Sequence, residues 1–225
     1  MSCQQSAAVT SIESTSDRHP LLSAAILAGG QSRRMGEEKS LLHLAGRTMI
    51  ETVADRVSSV ANDVFVVAND GAVYEEFGFR VVPDAIPGAG SLGGVYTALL
   101  SAAHDLCLVV ACDMPLLNID LLRRMAESIG QHDVVIPSLS AERSDQGKTE
   151  TLETMHAIYR TSIAPDLERR IRAGDLKVAT ALTGFNMLRI TEEAIRRIDP
   201  DLESFFNVNT PDDYAFARSR LERRR

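Results

Sequence analysis

The sequence predicts an α/β fold in which helices cover both faces of a mainly parallel sheet. Short apolar runs without polar alternation recur along the chain, which is typical of strands that are buried on both faces. Helix-like segments separate these runs, so strand and helix alternate as they do in βαβ units. The chain has 225 residues, of which 44% are hydrophobic and 24% are charged. This is enough for one sizeable core, although two smaller domains also fit the length.

Six segments are predicted as strands because they are rich in apolar or β-branched residues and are bounded by Gly, Asn, Asp or Pro. They are 23–29, 63–69, 79–84, 105–113, 133–139 and 154–160. Helices are predicted between and after them, at 48–60, 92–103, 118–129, 161–173, 191–198 and 211–224. Asn118 is a suitable N-cap for the third helix, and Gly130 follows its end.

The predicted elements divide the chain into one domain and two tails. We expect a disordered N-terminal segment at 1–20, a single domain at 21–218 and a basic C-terminal tail at 219–225, where the chain is rich in arginine. Within the domain, the segment 140–153 is polar, charged and too long for a tight connection. We predict that it is a mobile loop over a site or an insertion without function.

The composition excludes several classes of protein. A formal net charge of -7 argues against binding to nucleic acid or to an anionic membrane, since either would need a basic excess. The apolar stretches are too short and too interrupted to span a bilayer, and residues 1–20 lack the pattern of a signal peptide. We therefore expect a cytoplasmic protein that binds neither nucleic acid nor membrane.

Cysteine and histidine give no indication of a metal site. The three cysteines form no CxxC pair, and Cys107 and Cys112 lie in an apolar run, as expected for small core residues in a reducing compartment. Four histidines share no metal-binding spacing, and we expect them at the surface or behind the residues that contact a ligand. They are His43, His104, His132 and His156.

Polar residues follow the predicted strands at their carboxyl ends. A Gly-rich loop follows the first strand, and Asn69, Asp84 and Asp113 end later strands. Because open α/β sheets bind ligands at this edge, we expect these residues to form one site. The loop LAGGQSRRMGEEK (27–39) offers flexible backbone N–H groups, arginine and lysine, which suit phosphate, although a plain turn with a solvated Arg pair fits its composition too. A carboxylate beside phosphate favours Mg²⁺, so Asp113 is either a metal ligand or only a turn former.

Two other nucleotide motifs fit less well. The loop 27–39 lacks the Walker pattern of P-loop NTPases, because two glutamates separate its last glycine from Lys39. The stretch GAGSLG (88–93) matches G-x-G-x-x-G, and Asp113 follows it 20 residues later, as in a nicotinamide-binding dehydrogenase. Three residues that include a proline separate it from the preceding strand, however, so the tight strand-to-glycine turn is missing. We regard the dehydrogenase interpretation as the weaker one.

Four stretches together resemble a known family. They are LAGGQSRRMGEEK at 27–39, the segment from VVPD to GSLGG at 81–94, ACDMP at 111–115 and NVNTPDDY at 207–214. In this order they resemble the molybdenum cofactor guanylyltransferases, within the wider nucleotidyltransferases that share L-A-G-G-x-S-x-R-M-G-x-x-K. The resemblance spans about 24–217. It implies a three-layer α/β/α, Rossmann-like fold of the nucleotide-diphospho-sugar transferase type, and transfer of GMP from GTP to the terminal phosphate of molybdopterin with release of pyrophosphate.

The resemblance also implies roles for individual residues. The residues matched to guanine and to the phosphate loop are Leu27, Ala28, Gly29, Gly30, Arg34 and Gly36. Those matched to further contacts with the nucleotide are Asn69, Asp84, Gly93 and Gly94, of which the two glycines would let the nucleotide approach. Lys39 matches a lysine on the triphosphate, Asp113 matches the Mg²⁺ ligand, and Asn207 and Asn209 match residues on the pterin side. The expected catalytic residues are Arg34, Lys39 and Asp113.

The sequence departs from the commonest family pattern at two places and leaves alternatives open. GSLGG replaces a Gly-Pro-Leu start, and EEK replaces a frequent x-Asp-Lys. Neither change removes a charge that the chemistry needs, but both leave room for a cytidylyltransferase acting on the same pterin or for another small-molecule nucleotidyltransferase. A non-catalytic carrier of GTP or pterin on the same fold is a further alternative. The partners implied are GTP, molybdopterin, other cofactor-biosynthesis proteins and the chaperones of molybdoenzymes.

Overall fold

The computed structural model describes residues 8–9, 20–28, 39–143 and 147–223. The strands within these ranges are β1 (Ala8–Val9), β2 (Leu22–Leu27), β3 (His43–Leu44), β4 (Arg47–Thr48), β5 (Asp63–Val67), β6 (Arg80–Val82), β7 (Leu106–Ala111), β8 (Val134–Arg143), β9 (Gly147–Leu152), β10 (His156–Arg160) and β11 (Met187–Thr191). The α-helices are α1 (Met49–Ser58), α2 (Ala72–Glu75), α3 (Gly90–Ser101), α4 (Ile119–Glu127), α5 (Ala164–Arg172), α6 (Val178–Ala181), α7 (Glu192–Arg196) and α8 (Pro211–Arg223).

Nine of the described strands form one sheet with the order β1-β11-β8-β10-β7-β2-β5-β6, and β9 pairs with β8 beside this path. Strand β2 lies near its centre, between β5 and β7, and pairs with both in parallel. Strand β10 runs antiparallel to β7 and β8, and β9 runs antiparallel to β8. The prediction of an α/β fold with a mainly parallel sheet is confirmed.

A hydrophobic core lies on each face of the sheet. Helices α1, α4 and α7 pack on one face, and α3, α5 and α6 pack on the other. Strand β2 contributes to both cores, with Ala24 and Ile26 on the first face and Ala25 on the second. All three side chains are fully buried. This explains why the strand is apolar without alternation and gives the three-layer arrangement that the sequence predicts.

Helices α1 and α4 begin at residues whose side chains satisfy their first N–H groups. Thr48 and Glu51 form a reciprocal capping box at the start of α1. The side chain of Asn118 accepts hydrogen bonds from the backbone N–H groups of Asp120 and Leu121, so the predicted cap of α4 is confirmed. Gly130 follows that helix with a φ of 42°, a left-handed conformation that favours glycine.

The prediction of a loop at 140–153 is wrong over most of that segment. Strands β8 and β9 form an antiparallel hairpin there, with pairing from Ser138 and Leu152 to Arg143 and Gly147. Threonine and glutamate alternate in β9, and this polar alternation suits a strand at the edge of a sheet as well as it suits a loop. Residues 144–146 lie outside the described part of the chain.

The structure also contains short elements for which no strand or helix was predicted. They are β1, β3, β4, β11, α2 and α6. Strand β1 lies in the segment 1–20, for which we expected disorder, and pairs in parallel with β11. The rest of 1–19 lies outside the described residues, and the division into domain and tails stays a prediction. Helix α8 runs to Arg223 and so enters the predicted tail. In the described ranges, no helix combines the length and the apolar character needed to cross a membrane.

His156 lies in the core rather than at the surface, the first of the two positions that the sequence analysis allowed for it. It belongs to β10, pairs with Val110 of β7 and is fully buried, with its ring 4.7 Å from that of Phe205. Neither ring nitrogen makes a hydrogen bond of ordinary geometry with another described residue. Burial lowers the pKa of His156 to about 4, despite the opposing effects of the Ser204 backbone and the Asp199 carboxylate.

We expect the free energy of unfolding to fall as the pH drops from about 6.5 to about 4. In this window the unfolded chain takes up a proton at His156 that the folded chain excludes, which costs about 1.4 kcal/mol per pH unit. Urea denaturation at several pH values would measure the effect in the native protein and in His156→Leu. The difference between the two curves isolates His156 from the carboxylates, and parallel curves would contradict the prediction.

Candidate functional site

The ends of three parallel strands are tied together at the carboxyl edge of the sheet. The backbone N–H of Ala28, just after β2, donates to the carbonyl oxygen of Val67 at the end of β5, over 3.0 Å. The N–H of Cys112, just after β7, donates to the carbonyl oxygen of Leu27, over 3.1 Å. The next residue in the chain is Asp113. Polar side chains that follow β2, β5 and β7 therefore start from neighbouring points on one edge.

The ammonium group of Lys39 lies between two oxygen atoms at this edge. It donates to Oδ2 of Asp113 over 2.8 Å and to Oδ1 of Asn209 over 2.9 Å. The Lys39 side chain is 11% exposed and that of Asp113 is 22% exposed, so the ion pair is shielded from water but reachable from the surface. A cation and two hard oxygen acceptors thus converge at a partly open position, an arrangement that suits phosphate and a divalent metal ion.

Asn209 is held by the N-terminus of α8. The carboxylate of Asp213 accepts hydrogen bonds from the backbone N–H groups of Asn209 and Thr210, over 2.9 and 2.8 Å. In return, the Thr210 hydroxyl oxygen accepts a hydrogen bond from the N–H of Asp213. The bond from the Asn209 backbone and those from Thr210 hold the pKa of Asp213 below its usual value, and the charge of Lys39 adds to this effect.

The segment before α8 is also joined to the end of β7. The N–H of Val208 donates to the carbonyl oxygen of Asp113 over 2.9 Å, and Val208 is buried. Asn209 and Asp113 are therefore fixed relative to each other by the main chain as well as through Lys39. Asn207 makes no such contact with the group: it is exposed, and its side-chain amide donates to the carbonyl oxygen of Phe205.

A second pair of polar residues lies after β5 and β6. The side-chain amide of Asn69 donates to Oδ2 of Asp84 over 2.8 Å, and the N–H of Asp84 donates back to Oδ1 of Asn69 over 3.0 Å. The next N–H, of Ala85, donates to the hydroxyl oxygen of Thr97 on α3. This network fixes the loop between β6 and α3 against the helix and leaves Asn69 exposed.

Comparison with known proteins shows to which family this chain belongs. Residues 24–188 match the family model described as the MobA-like NTP transferase domain. The chain belongs to the MobA-like NTP transferase family. It is accordingly a nucleotidyltransferase, in agreement with the resemblance that the sequence motifs carry.

Curated relatives of this MobA-like NTP transferase cover most of its length. It is 39% identical over 203 residues to the probable molybdenum cofactor guanylyltransferase of Pelotomaculum thermopropionicum, covering 89% of this chain and 93% of the relative. It is 34% identical to the molybdenum cofactor guanylyltransferase of Desulfosudis oleivorans, covering 88% and 94%. These relatives match along nearly the whole domain.

Solved structures support the fold. Molybdopterin-guanine dinucleotide biosynthesis protein A from Archaeoglobus fulgidus superposes with a TM-score of 0.70 at 31% identity, over 89% of this chain and 99% of that one. 4-diphosphocytidyl-2C-methyl-D-erythritol synthase from Anaerococcus prevotii superposes with a TM-score of 0.65 at 16% identity, over 91% and 97%. The second similarity concerns the fold alone. The predicted fold of the nucleotide-diphospho-sugar transferase type is confirmed.

Apart from two glycines of α3, the residues predicted for the site of this MobA-like NTP transferase fall into three groups. Those that the structure brings into contact are Lys39, Asp113 and Asn209, together with the separate pair Asn69 and Asp84. Those that lie at the same edge without a side-chain contact to this group are Leu27, Ala28 and Asn207. Those that lie outside the described residues are Gly29, Gly30, Arg34 and Gly36. The sequence analysis overlooked Asp213, although T-x-x-D at 210–213 is a recognisable capping signal.

The two glycines predicted to let a nucleotide approach lie against the protein itself. Gly93 and Gly94 are buried in α3. A Cβ atom on Gly93 would lie 2.7 Å from Cβ of Ala89, and one on Gly94 would lie 3.1 Å from Cδ1 of Leu27. Their lack of a side chain lets α3 pack closely against its own first turn and against the end of β2.

We expect Gly93→Ala to lower the free energy of unfolding by about 1–3 kcal/mol, because the added methyl group overlaps Ala89. The better helix propensity of alanine offsets about 1 kcal/mol at most. Thermal or urea denaturation would measure the change. A variant as stable as the native protein would show that α3 shifts without cost.

Proposed function

We propose that the protein transfers GMP from GTP to the terminal phosphate of molybdopterin, releasing pyrophosphate and forming the guanine dinucleotide cofactor. The observation that carries the proposal is the convergence of Lys39, Asp113 and Asn209 at the carboxyl edge of the sheet. The names of the relatives, which are guanylyltransferases of the molybdenum cofactor, supply the nucleotide and the acceptor.

The reaction needs alignment and charge compensation rather than a base. The attacking group is a phosphate oxygen that is already ionised, so no proton has to be removed from it. Two anions have to be brought together, and negative charge grows on the leaving pyrophosphate. Lys39 is placed to bind those phosphates, and Arg34 in the preceding loop is expected to assist it. We propose that Lys39 leaves its present partners for the phosphates when GTP binds.

The donor set beside Lys39 fits a magnesium ion. Oδ2 of Asp113 and Oδ1 of Asn209 are hard oxygen ligands that already converge on a positive charge, and Mg²⁺ commonly takes one or two such protein ligands plus phosphate and water. We propose that these two residues hold the metal. When bound, Mg²⁺ supplies charge neutralisation and polarisation at the phosphates. The chain's own contribution is to hold these two oxygens in place, through the end of β7 and the cap of α8.

The remaining site residues are proposed to bind the two substrates. Asn69, whose exposed amide is oriented by Asp84, is placed to contact the nucleotide. We propose that Asn207 and Asn209, which precede α8 and are both exposed, contact the acceptor at its phosphate. We propose that the reaction takes place in the cytoplasm, a reducing compartment in which the buried thiol of Cys107 stays reduced.

The function is tested by measuring pyrophosphate release with molybdopterin and Mg²⁺, with GTP, CTP, ATP or UTP supplied separately. Release with GTP alone is the expected result. Release with CTP alone would assign the protein as a cytidylyltransferase for the same pterin. No pyrophosphate release with any of the four nucleotides would contradict the proposed reaction.

In the same assay, Lys39→Ala and Asp113→Ala should each lower turnover by well over tenfold, because both contacts strengthen as charge grows in the transition state. The control is Arg172→Ala, which removes a cation from an exposed ion pair with Glu168 on α5 and should keep full turnover. Native turnover in either site variant would remove that residue from the mechanism.

Metal binding without nucleotide provides a separate test of the metal position. Because the Lys39 ammonium lies between the two proposed ligand oxygens, a divalent ion has to displace it. We expect Mn²⁺ to bind Lys39→Met about tenfold or more tightly than it binds the native protein, since a competing positive charge is gone. Titration followed by electron paramagnetic resonance would measure the affinity, with Arg172→Met as the control. Equal affinities in Lys39→Met and the native protein would place the metal elsewhere.

A further inference from the structure

A buried tyrosine contacts Ala28 and Ser40, which lie before and after residues 29–38 in the chain. Tyr74 belongs to the four-residue helix α2, and its side chain is 1% exposed. Its hydroxyl donates to the carbonyl oxygen of Ala28 over 3.4 Å and lies 2.9 Å from the hydroxyl oxygen of Ser40. In the second hydrogen bond either hydroxyl group can be the donor. One hydroxyl group therefore joins Ala28 to Ser40.

The two partners of this hydroxyl precede and follow residues 29–38 along the chain. Ala28 directly follows β2 and is anchored to β5 through its own N–H. Ser40 belongs to the 3₁₀ turn Lys39–Leu41 and is 2% exposed, so its side chain is buried, while that of the neighbouring Lys39 reaches Asp113 and Asn209. Residues 29–38 connect the two partners along the chain. The Tyr74 hydroxyl thus links the start of the loop to the turn that ends it.

The turn that carries Lys39 has a different anchor on its other side. The N–H of Leu42 donates to the carbonyl oxygen of Lys39, and the N–H of Met49 donates to that of Leu42, which ties the turn to the first residue of α1. These bonds fix the turn relative to α1 but not relative to the strand ends that carry Ala28 and Asp113. The Tyr74 hydroxyl supplies a bond from the turn to the end of β2.

We infer that Tyr74 is a positioning residue, which acts through Ser40 to orient Lys39 toward the phosphates. This inference rests on the proposed function, because it assigns Lys39 to the nucleotide. Without the hydroxyl, the turn loses one link to the sheet, and its remaining bonds to α1 through Leu42 and Met49 open more often. Lys39 then samples positions away from the transition-state phosphates, and small misplacements of such groups cost rate rather than stability.

The chain offers a matched control for a buried tyrosine hydroxyl. Tyr159 is fully buried, and its hydroxyl donates to the carbonyl oxygen of Thr154 over 2.7 Å. Tyr159→Phe removes this bond and Tyr74→Phe removes the bonds to Ala28 and Ser40, so both changes should lower the melting temperature. Tyr159 makes no contact with the turn Lys39–Leu41. A difference in kinetics between the two variants therefore reports on position rather than on stability.

The kinetic test compares Tyr74→Phe, Ser40→Ala, the double variant and Tyr159→Phe in the pyrophosphate assay. We expect kcat to fall about tenfold in Tyr74→Phe and in Ser40→Ala, with the KM for the pterin unchanged. The double variant should be no slower than either single variant, because the two residues act as one unit. Tyr159→Phe should keep the native kcat. Additive losses, or a native kcat in Tyr74→Phe, would overturn the inference.

Hydrogen exchange tests the same link without any substrate. In Tyr74→Phe the amides of Leu42 and Met49 should exchange faster than in the native protein, whereas in Tyr159→Phe they should not. Unchanged exchange in Tyr74→Phe would overturn the inference even if the protein proves to have another activity. If no nucleotide supports turnover, the proposed function fails while this measurement still decides whether Tyr74 holds the turn.

Discussion

The ammonium group of Lys39 is the point at which distant parts of the chain meet. It binds Asp113, 74 residues away, and Asn209, 170 residues away. A largely shielded positive charge needs a negative partner, so the fold has to deliver a carboxylate to this position. The parallel ladder of β2 and β7 does so by ending both strands at the same edge, with Asp113 two residues beyond Ala111. The closing helix α8 then brings the amide oxygen of Asn209 to the same place.

The centre of the fold could be predicted because its signals are local. Strand β7 follows from six consecutive apolar residues, and α4 follows from Asn118 at its start and Gly130 after its end. The site was located in general terms by the rule that ligands bind where parallel strands end. The sequence motif supplied Lys39, Asp113 and Asn209, but no local pattern encodes that the three side chains touch. That contact follows from strand order, which hydrophobic periodicity does not specify.

The elements that the sequence analysis missed have signals that fit two structures equally well. Strand β9 is polar and belongs to an antiparallel hairpin, where alternating threonine and glutamate can face water. A polar composition of this kind is also typical of a loop. His156 is polar by type and yet lies in a central strand, where packing against Phe205 replaces hydrogen bonding. Tyr74 lies in a helix of only four residues, which has no periodic signal at all. Tertiary contacts decide each of these cases.

The cap of α8 has a consequence for how much of the protein is ready to react at any moment. The Asp213 carboxylate, in the first turn of the helix, accepts hydrogen bonds from the N–H of Thr210, the residue before the helix, and from the N–H of Asn209. Fraying of the first helical turn and disassembly of the site are therefore one event rather than two. Helix ends open at a small cost in free energy. The apparent affinity of the protein for a ligand is proportional to the fraction of molecules in which the site is formed. The local stability of a terminal helix thus sets the population of competent molecules, and a ligand that holds Asn209 in place should also stiffen the last helix of the chain.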